Sequence, residues 1–434
     1  MLLHQTIPLI PISPSHEVVA MPLSSVLVFY SIVEISVAQP QRILPFVASD
    51  NIPEITHRPI SFDIYDPFRS TTRQSDKILD DEVVVRLSVG QLIGKNFIID
   101  NLAWAPDSDE REFDSEERIG GNINYKPKRV STSIFTFLGV PYAQKPVGRL
   151  RFQLPQKLPR LPGDIYFADK FSAACAQDVE SRPNLRFDMP YEHHVDEDCL
   201  YLNVFTPQAS LVAAKNYPVI VFFHGGNFQT GASNDWPAYV LSTKGLVVVT
   251  ANYRLGAFGF LSLGGRQANF GLWDQKLVLE WIQEHIYAFG GDKSRVTVVG
   301  HDAGAVSAGL HMLSPFSAGL ITSVAALSGA EVAYHQVITH PMLAYNNTLK
   351  LGRMVGCFSL KSGDILECLK TRSTRDIVAG TRDMLVEFNR YSFLPTIDKN
   401  FLSDLPQTLL NRKEVVSPLP YLTGINLHDG AEVL

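Results

Sequence analysis

The stretch Arg295-Val-Thr-Val-Val-Gly-His-Asp-Ala-Gly-Ala305 decides the fold of this chain of 434 residues. Its β-branched beginning is typical of a buried strand, and the stretch from Ala305 to Leu313 predicts a helix. Between the two, one glycine stands two residues before Asp302 and another stands two residues after it. Glycines permit a sharp turn, so the sequence predicts a tight bend with Asp302 at its apex. In open α/β sheets, such strand ends carry the functional sites.

Further apolar runs have the spacing of strands with helical patterns between them. Tyr217 to Phe223 and Gly245 to Tyr253 are continuous β-branched and aromatic runs, as strands covered on both faces require. Ile321 to Leu327 and Pro418 to Gly424 continue the series, and Leu272 to Tyr287 has apolar residues at helical steps. This alternation predicts an α/β fold with a mainly parallel central sheet, flanked by helices.

The composition excludes two classes of protein. The chain has 38 Lys and Arg against 44 Asp and Glu, a net charge of −6, so we expect no nucleic-acid partner. No apolar run reaches the roughly 18 to 20 residues that a membrane-spanning helix needs, so we expect any anchor to lie beyond Leu434.

His and acidic residues cluster at 192–198, but adjacent side chains point apart, and we expect no metal and no cofactor.

The first 81 residues precede the regular part of the chain. Leu23 to Val33 has the length of a secretory h-region, and Ser36-Val-Ala38 resembles a cleavage site, so we expect a signal peptide within residues 1–38. Met21 is a second natural start, and a buried element in an extended N terminus is the alternative. Residues 39–81 are rich in Pro, Ser, Thr and Asp, which predicts a poorly ordered lead-in.

The predicted domain covers residues 82–434 and opens with a hairpin. Alternating residues from Val83 to Ile99 predict this hairpin. An acidic insert follows at about 101–128, and its run Asp107 to Arg118 has seven acids against two arginines. We expect a solvated loop there; a charged surface for a partner is the alternative.

Several long motifs stand in the order in which one enzyme family has them. They are Phe137-Leu-Gly-Val-Pro-Tyr-Ala143, Pro146-Val-Gly148, Leu150-Arg-Phe152, Glu197-Asp-Cys-Leu-Tyr-Leu-Asn-Val204, Asn252-Tyr-Arg-Leu-Gly256, Gly271-Leu-Trp-Asp-Gln275 and Phe289-Gly-Gly-Asp292. On these motifs, residues 130–434 resemble the type-B carboxylesterase and cholinesterase family. The resemblance implies an α/β-hydrolase fold, truncated at its C-terminal end. It also identifies the bend at Asp302 with the nucleophile elbow, G-x-S-x-G.

The chain departs from active members of that family at the catalytic residues. Active members have Glu-Ser in the elbow where this chain has His301-Asp302, so the hydroxyl that a His deprotonates is missing. The resemblance places the triad acid at Asp429, and no His follows His428 to act as the base. We therefore expect no competent catalytic residue and no enzyme activity.

The oxyanion loop of the resembled family corresponds to Gly225, Gly226 and Asn227, and Asn227 replaces a third glycine. We expect Gly226 and Ala303 to be the backbone donors, and an altered loop conformation at Asn227. Our hypothesis is that the Asp302 carboxylate fills the place of an oxyanion. The donors of the loop and the positive end of the following helix would stabilise its charge.

The branch of this family that lacks the nucleophilic serine comprises adhesion proteins such as neuroligins and gliotactin. The resemblance therefore implies a non-catalytic protein of cell adhesion or junctions, which binds a cell-surface or junctional protein and forms a homodimer at full length. The alternative is a working hydrolase with a base supplied elsewhere. It would act on carboxylic esters, or it would use Asp302 as the nucleophile, because Gly-His-Asp-x-Gly also resembles the elbow of epoxide hydrolases.

Four cysteines allow three pairings. Their positions and spacing match the two disulfide loops of the resembled family, which implies the pairs Cys175–Cys199 and Cys357–Cys368. Disulfides favour export. Asn346 begins a glycosylation sequon, which is meaningful only if the chain is secreted. We expect the protein to be secreted or to lie on the extracellular face of the plasma membrane; four reduced thiols in a cytosolic protein are the alternative.

Overall fold

The structure is a computed structural model that describes only part of the chain. The described residues are 82–106, 125–163, 165–179, 194–207, 216–264, 268–359, 361–388, 391–413, 419–426 and 429. The chain divides into two units, 1–65 and 66–434, and every described residue lies in the second. The predicted signal peptide, the lead-in and the acidic run 107–118 lie outside the described residues.

Ten of the described strands form one mixed sheet, in the order β1-β2-β3-β7-β9-β8-β10-β11-β12 with β4 beside β2. The sheet is parallel from β9 to β12, as predicted, and β1, β2, β3 and β7 extend it as antiparallel strands. The described strands are β1 (Glu82–Leu87), β2 (Gly90–Pro106), β3 (Tyr125–Pro141), β4 (Ile165–Phe167), β5 (Ala174–Cys175), β6 (Val195–Asp196), β7 (Tyr201–Thr206), β8 (Tyr217–Phe223), β9 (Val247–Ala251), β10 (Gly291–His301), β11 (Ser323–Leu327) and β12 (Tyr421–Gly424).

The predicted hairpin is confirmed, and β2 continues beyond its predicted end. β1 pairs with β2, and β2 then pairs with β3 up to the partners Pro106 and Tyr125. Residues 101–106 and 125–128, which we expected in the acidic insert, are therefore strand residues. Their backbone groups continue the antiparallel ladder, which leaves 107–124 between the two strands.

Eight α-helices among the described residues complete the fold, and the parallel strands are covered. All five residues of β9 are buried, and so is nearly every residue of α4. Burial of one large apolar side chain stabilises a fold by about 1.5–3 kcal/mol. The helices are α1 (Tyr239–Ser242), α2 (Gly256–Phe260), α3 (Phe270–His285), α4 (Ala303–Leu313), α5 (Pro341–Met354), α6 (Ser362–Thr371), α7 (Thr374–Phe388) and α8 (Pro406–Asn411).

The predicted helix from Leu272 to Tyr287 is confirmed as α3, with a 3-10 turn from Ile286 to Phe289 after it. The turn ends at Gly290, whose φ of 78° lies in the left-handed region that glycine enters without a steric cost. The chain can therefore reverse there and enter β10. This reversal brings the carboxyl end of β10 to the sheet edge where α4 begins.

Two buried arginine–carboxylate pairs join segments that are distant in sequence. Arg254 donates through Nε and Nη2 to both carboxylate oxygens of Asp274, at 2.8 and 2.7 Å. Burial raises the pKa of Asp274, while the Arg254 guanidinium opposes that rise. Arg151 forms a similar two-point contact with Glu197. Because an unpaired buried charge is costly, each pair holds its two segments together.

Both disulfides implied by the resemblance are present, Cys175–Cys199 and Cys357–Cys368. The first closes a segment of 24 residues, and the second closes one of 11 residues. None of the described helices combines the length and the apolar character that crossing a bilayer requires.

Candidate functional site at the bend after β10

The bend between β10 and α4 is a strained turn with Asp302 at its apex. Asp302 has φ 51° and ψ −118°, a conformation that residues with a side chain rarely adopt. A Cβ on Gly300 would lie 2.0 Å from the Gly304 carbonyl oxygen, and one on Gly304 would lie 1.9 Å from that of Phe223. Only glycine fits at either position, so the flanking glycines allow α4 to begin directly against β8.

The carboxylate of Asp302 lies against the loop that follows β8. Its Oδ2 accepts hydrogen bonds from the backbone N–H of Gly226 at 2.7 Å and of Asn227 at 2.9 Å. A Cβ on Gly225 would lie 2.9 Å from Asp302 Cβ, so the loop approaches this closely only because residue 225 is glycine. The acid thus occupies two donors of the predicted oxyanion loop.

Of the two expected backbone donors, one contacts the carboxylate and the other does not. Gly226 donates as expected, but the second donor is Asn227, with φ 53°. Within the described part of the chain, the Ala303 N–H makes no hydrogen bond to the carboxylate, and Asp302 does not cap α4 with its side chain. The left-handed conformation of Asn227, which we expected to disturb the loop, instead leaves its N–H facing Asp302.

A buried glutamine holds the other oxygen of Asp302. Gln336 Nε2 donates to Asp302 Oδ1 at 2.6 Å and lies 3.3 Å from Asn227 Oδ1. Asn227 Nδ2 in turn donates to the hydroxyl of Tyr391 at 3.1 Å. The sequence analysis missed Gln336 and Tyr391, because neither stands in a motif and both lie far from the bend in sequence. The carboxylate therefore accepts three hydrogen bonds from neutral donors.

Tyr253 interacts with the charge of Asp302 and contacts the start of the loop after β8. Its hydroxyl donates to the carbonyl oxygen of His224 at 2.8 Å, and its ring stacks on the His224 imidazole. Burial raises the pKa of Tyr253 well above its ordinary value, and the negative charge of Asp302 adds to that rise. Tyr253 thus remains a neutral hydrogen-bond donor that supports the start of the loop.

Asp429, the predicted triad acid, is exposed. It follows β12, at the sheet edge where the bend at Asp302 also lies. The backbone N–H of Asn426 donates to its Oδ2 at 2.8 Å. Slight burial raises the pKa of Asp429, but hydrogen bonds from Asn426 and Ser328, together with the field of His301, outweigh this effect and place it below the ordinary value. Asp429 therefore carries its charge next to the bend. His428 lies outside the described residues.

No metal site is present among the described residues, since no three His, Cys, Asp or Glu side chains are placed to hold an ion. Of the cluster of His and acidic residues at 192–198, the structure describes residues 194–198. There Asp198 pairs with Lys145 and accepts a hydrogen bond from Tyr201 at 2.9 Å. These contacts fix the loop before Cys199.

The predicted glycosylation sequon lies within α5. Asn346 is exposed there, while Thr348 is buried. The hydroxyl of Thr348 accepts a hydrogen bond from the Ser262 N–H at 3.0 Å and donates to the carbonyl oxygen of Ala344 at 3.2 Å. The acceptor nitrogen faces solvent, and glycosylation at Asn346 stays a prediction.

A sequence model of the carboxylesterase family matches residues 117–434. The chain belongs to the carboxylesterase family. Its fold is therefore the α/β-hydrolase fold, and the resemblance to type-B carboxylesterases and cholinesterases is confirmed. The bend at Asp302 joins a strand directly to a helix, as a nucleophile elbow does.

Relatives of this carboxylesterase-family chain include a neuroligin-like protein and several cholinesterases. It is 48% identical over 405 residues to the neuroligin-like protein glit-1 of Caenorhabditis elegans, covering 90% of this chain and 55% of the relative. It is 37% identical over 314 residues to cholinesterase of Mus musculus, covering 70% and 51%. It is 35% identical over 331 residues to acetylcholinesterase of Danio rerio, covering 73% of this chain and 51% of the relative. The chain spans about half the length of these curated relatives.

Proposed function

We propose that this protein is a non-catalytic member of the carboxylesterase family that acts by binding another protein at the cell surface. The observation that carries the proposal is the state of Asp302 at the elbow. Its carboxylate has no hydroxyl to activate, and two of the backbone donors that would stabilise a tetrahedral oxyanion already bind it. A substrate carbonyl would have to displace this bound acid before any attack on it could begin.

The relatives support an adhesion role over a digestive or signalling enzyme. A neuroligin-like protein shares 48% identity over most of this chain, whereas the cholinesterases share 35–37% over a smaller part. We infer a protein of cell adhesion or junctions, similar to gliotactin and neuroligins, whose partner is a cell-surface or junctional protein. Two disulfides agree with a place outside the reducing cytosol.

The loss of hydrolysis is tested on the purified chain with a p-nitrophenyl ester and a fluorophosphonate probe. We expect turnover no greater than that of the Asp302→Ala variant, and no phosphonylated peptide. Mouse cholinesterase serves as the active control. Ester turnover that the probe abolishes would show that the protein is a working carboxylesterase and would overturn this proposal.

A different pair of substrates tests the alternative that the protein is a hydrolase with Asp302 as its nucleophile. The chain is incubated with an epoxide and a haloalkane, and its peptides are analysed for an alkyl ester on Asp302. We expect no adduct and no turnover, because three neutral donors already engage the carboxylate oxygens. Turnover that is lost in Asp302→Ala would assign the hydrolase instead.

Adhesion is tested by displaying the chain on non-adherent cells and mixing them with cells that display single junctional ectodomains, or this chain itself. We expect aggregation with one ectodomain at equal surface density, and no aggregation when mouse cholinesterase is displayed in its place. Aggregation of cells that all display this chain would reveal the expected homodimer. Binding should persist in a folded Asp302→Ala variant, because it does not use the elbow. Failure with every ectodomain would count against adhesion.

Localisation follows from labelling of intact cells. A membrane-impermeant biotin reagent should label the chain at the surface, or the chain should appear in the medium. Protection from the reagent until the cells are permeabilised would contradict an extracellular place.

A further inference from the structure

A guanidinium group lies over the Cys357–Cys368 disulfide. Arg372 Nε donates to Cys357 Sγ at 3.4 Å, and Arg372 Nη2 donates to Cys368 Sγ at 3.3 Å. The same Nη2 donates to the carbonyl oxygen of Gly356 at 3.1 Å, which fixes the group over both sulfurs. A fixed positive charge stabilises a thiolate relative to a thiol. The contact therefore favours the thiolate that forms when this disulfide opens.

The two cysteines differ in accessibility. Cys357 is 1% exposed, whereas Cys368, in α6, is half-buried. Because Cys368 is the more exposed of the two residues, we expect an incoming thiolate to attack its sulfur, with Cys357 as the leaving group. Exchange is faster when the leaving thiol has a lower pKa, and Arg372 contacts that leaving sulfur directly.

The other disulfide provides an internal comparison. Cys175 and Cys199 are 2% and 1% exposed, so neither residue presents its sulfur to solvent. Among the described residues, no Arg or Lys side chain donates to either of these sulfurs. The same chain thus carries one disulfide with a cation and an accessible side, and one with neither.

We propose that Cys357–Cys368 is a thiol-exchange site for a small thiol of the glutathione class. The thiol loses its proton to water, and its thiolate attacks Cys368 Sγ. A bond forms between the two sulfurs, the bond to Cys357 Sγ breaks, and the electron pair leaves with Cys357 as a thiolate beside Arg372. A second thiolate then removes the first as a small disulfide. Two external thiols are oxidised, and the protein disulfide is reduced by two electrons.

The exchange is local because Arg151 anchors the chain after Cys368. Its Nη1 donates to the carbonyl oxygens of Leu369, Lys370 and Arg372, at 3.2, 3.1 and 2.6 Å. This end of α6 stays fixed when the disulfide opens. Opening the disulfide frees the residues just after Cys357, before α6 begins, and among them Phe358 is 80% exposed. Opening therefore changes how this apolar side chain is presented, without unfolding the domain.

The test incubates the oxidised full chain with reduced glutathione at neutral pH, stops the reaction with an alkylating reagent and quantifies the cysteine peptides by mass spectrometry. We expect a glutathione adduct on Cys368 before any adduct on Cys175 or Cys199. In Arg372→Gln the opening should be about threefold to tenfold slower, because the leaving thiol loses the cation that lowers its pKa.

Two further variants separate the charge from its position. Arg372→Lys keeps the charge without the planar fork and should retain part of the rate. Arg375→Gln removes an exposed arginine from α7 that contacts neither sulfur, and it should react as the wild type does.

The proposal is overturned if Cys175–Cys199 opens as fast in the wild-type chain, or if a folded Arg372→Gln variant reacts at the wild-type rate. A first adduct on Cys357 would also overturn it, since Cys357 must leave as the thiolate. If Arg372→Gln does not fold, the comparison of the two disulfides in the wild-type chain decides alone.

Discussion

Gln336 donates its side-chain amide to Oδ1 of Asp302 at 2.6 Å, across 34 positions of sequence. With Gly226 and Asn227 on Oδ2, it completes a shell of three neutral donors around one carboxylate. A carboxylate bound in this way is a structural ligand of the loop after β8. The same arrangement holds the bend after β10 against that loop.

Substitution at the elbow should reveal this structural role. Asp302→Ala leaves the three donors without their charged acceptor, and the free energy of unfolding should fall by about 1.5–3 kcal/mol. Asp302→Gly should cost less, because glycine relieves a backbone strain of about 1–3 kcal/mol at φ 51°. Urea denaturation measures both. An equal loss in the two variants would contradict a strained apex.

A small anion should restore what Asp302→Ala loses. Formate is a carboxylate without a side chain, and the vacated donors of Gly226 and Asn227 would bind it. We expect formate to raise the melting temperature of Asp302→Ala more than that of the wild type, with chloride at equal ionic strength as the control. The same response in both proteins would mean that formate acts elsewhere.

Buried His311 should make stability depend on pH. Burial lowers the pKa of His311 to about 3, whereas an unfolded histidine titrates near 6.5. Between these values the unfolded chain binds a proton that the folded chain does not. Stability is therefore full above pH about 6.5 and falls as the pH drops toward about 3, by up to about 1.4 kcal/mol per pH unit.

His311→Gln should flatten this dependence between pH about 6.5 and 5, above the range where most carboxylates titrate. Gln275 and Ser317, which now contact the two ring nitrogens, remain available to an amide side chain. The exposed His335 provides the control, and His335→Gln should keep the wild-type slope. Denaturant unfolding at a series of pH values measures each slope, and an unchanged slope in His311→Gln would refute the assignment.

The Arg151–Glu197 pair should be coupled. Arg151→Met leaves Glu197 buried without its partner, and we expect a loss of about 3–5 kcal/mol. In the double variant with Glu197→Leu, the loss should be smaller than the sum of the two single losses. Lys157→Met removes a partly exposed partner of Glu284 and should cost about 0–1 kcal/mol. Additive losses at residues 151 and 197 would show that the two charges do not interact.

Expression through a secretory pathway should add a glycan at exposed Asn346. Asn346→Gln should abolish the mass shift that an N-glycosidase removes, while Thr348→Ser keeps the sequon and should retain it. An unmodified Asn346 peptide in secreted protein would contradict the prediction. Peptide mass spectrometry reads out both variants directly.

Structure was predicted most accurately where a local sequence pattern is compatible with only one conformation. The continuous apolar run of β8 predicted its strand to the residue, because strands buried on both faces tolerate little polarity. The glycines around Asp302 predicted the bend, because other residues do not fit the contact with Phe223. The two disulfides followed from the resemblance, since their positions match those of a known frame.

The sequence predicted least where long-range contacts decide. Nothing local distinguishes Gln336 from other glutamines, and its role arises only when the segment after β11 folds over the elbow. We expected an altered loop conformation at Asn227, but the direction of a backbone N–H depends on φ, and an asparagine can adopt the left-handed φ found there. Residues 101–106 and 125–128 were assigned to the acidic insert, but the pairing of β2 with β3 makes them strand residues.

Arg151 joins two covalent loops of this protein through a single side chain. It contacts Glu197, two residues before Cys199, and also the carbonyl oxygens that end α6, which carries Cys368. Under the adhesion function proposed above, tension applied to one loop would reach the other through this guanidinium without passing through the sheet. The domain would then bear load along a path of two sulfur bridges and one ion pair, so mechanical strength need not depend on the strands.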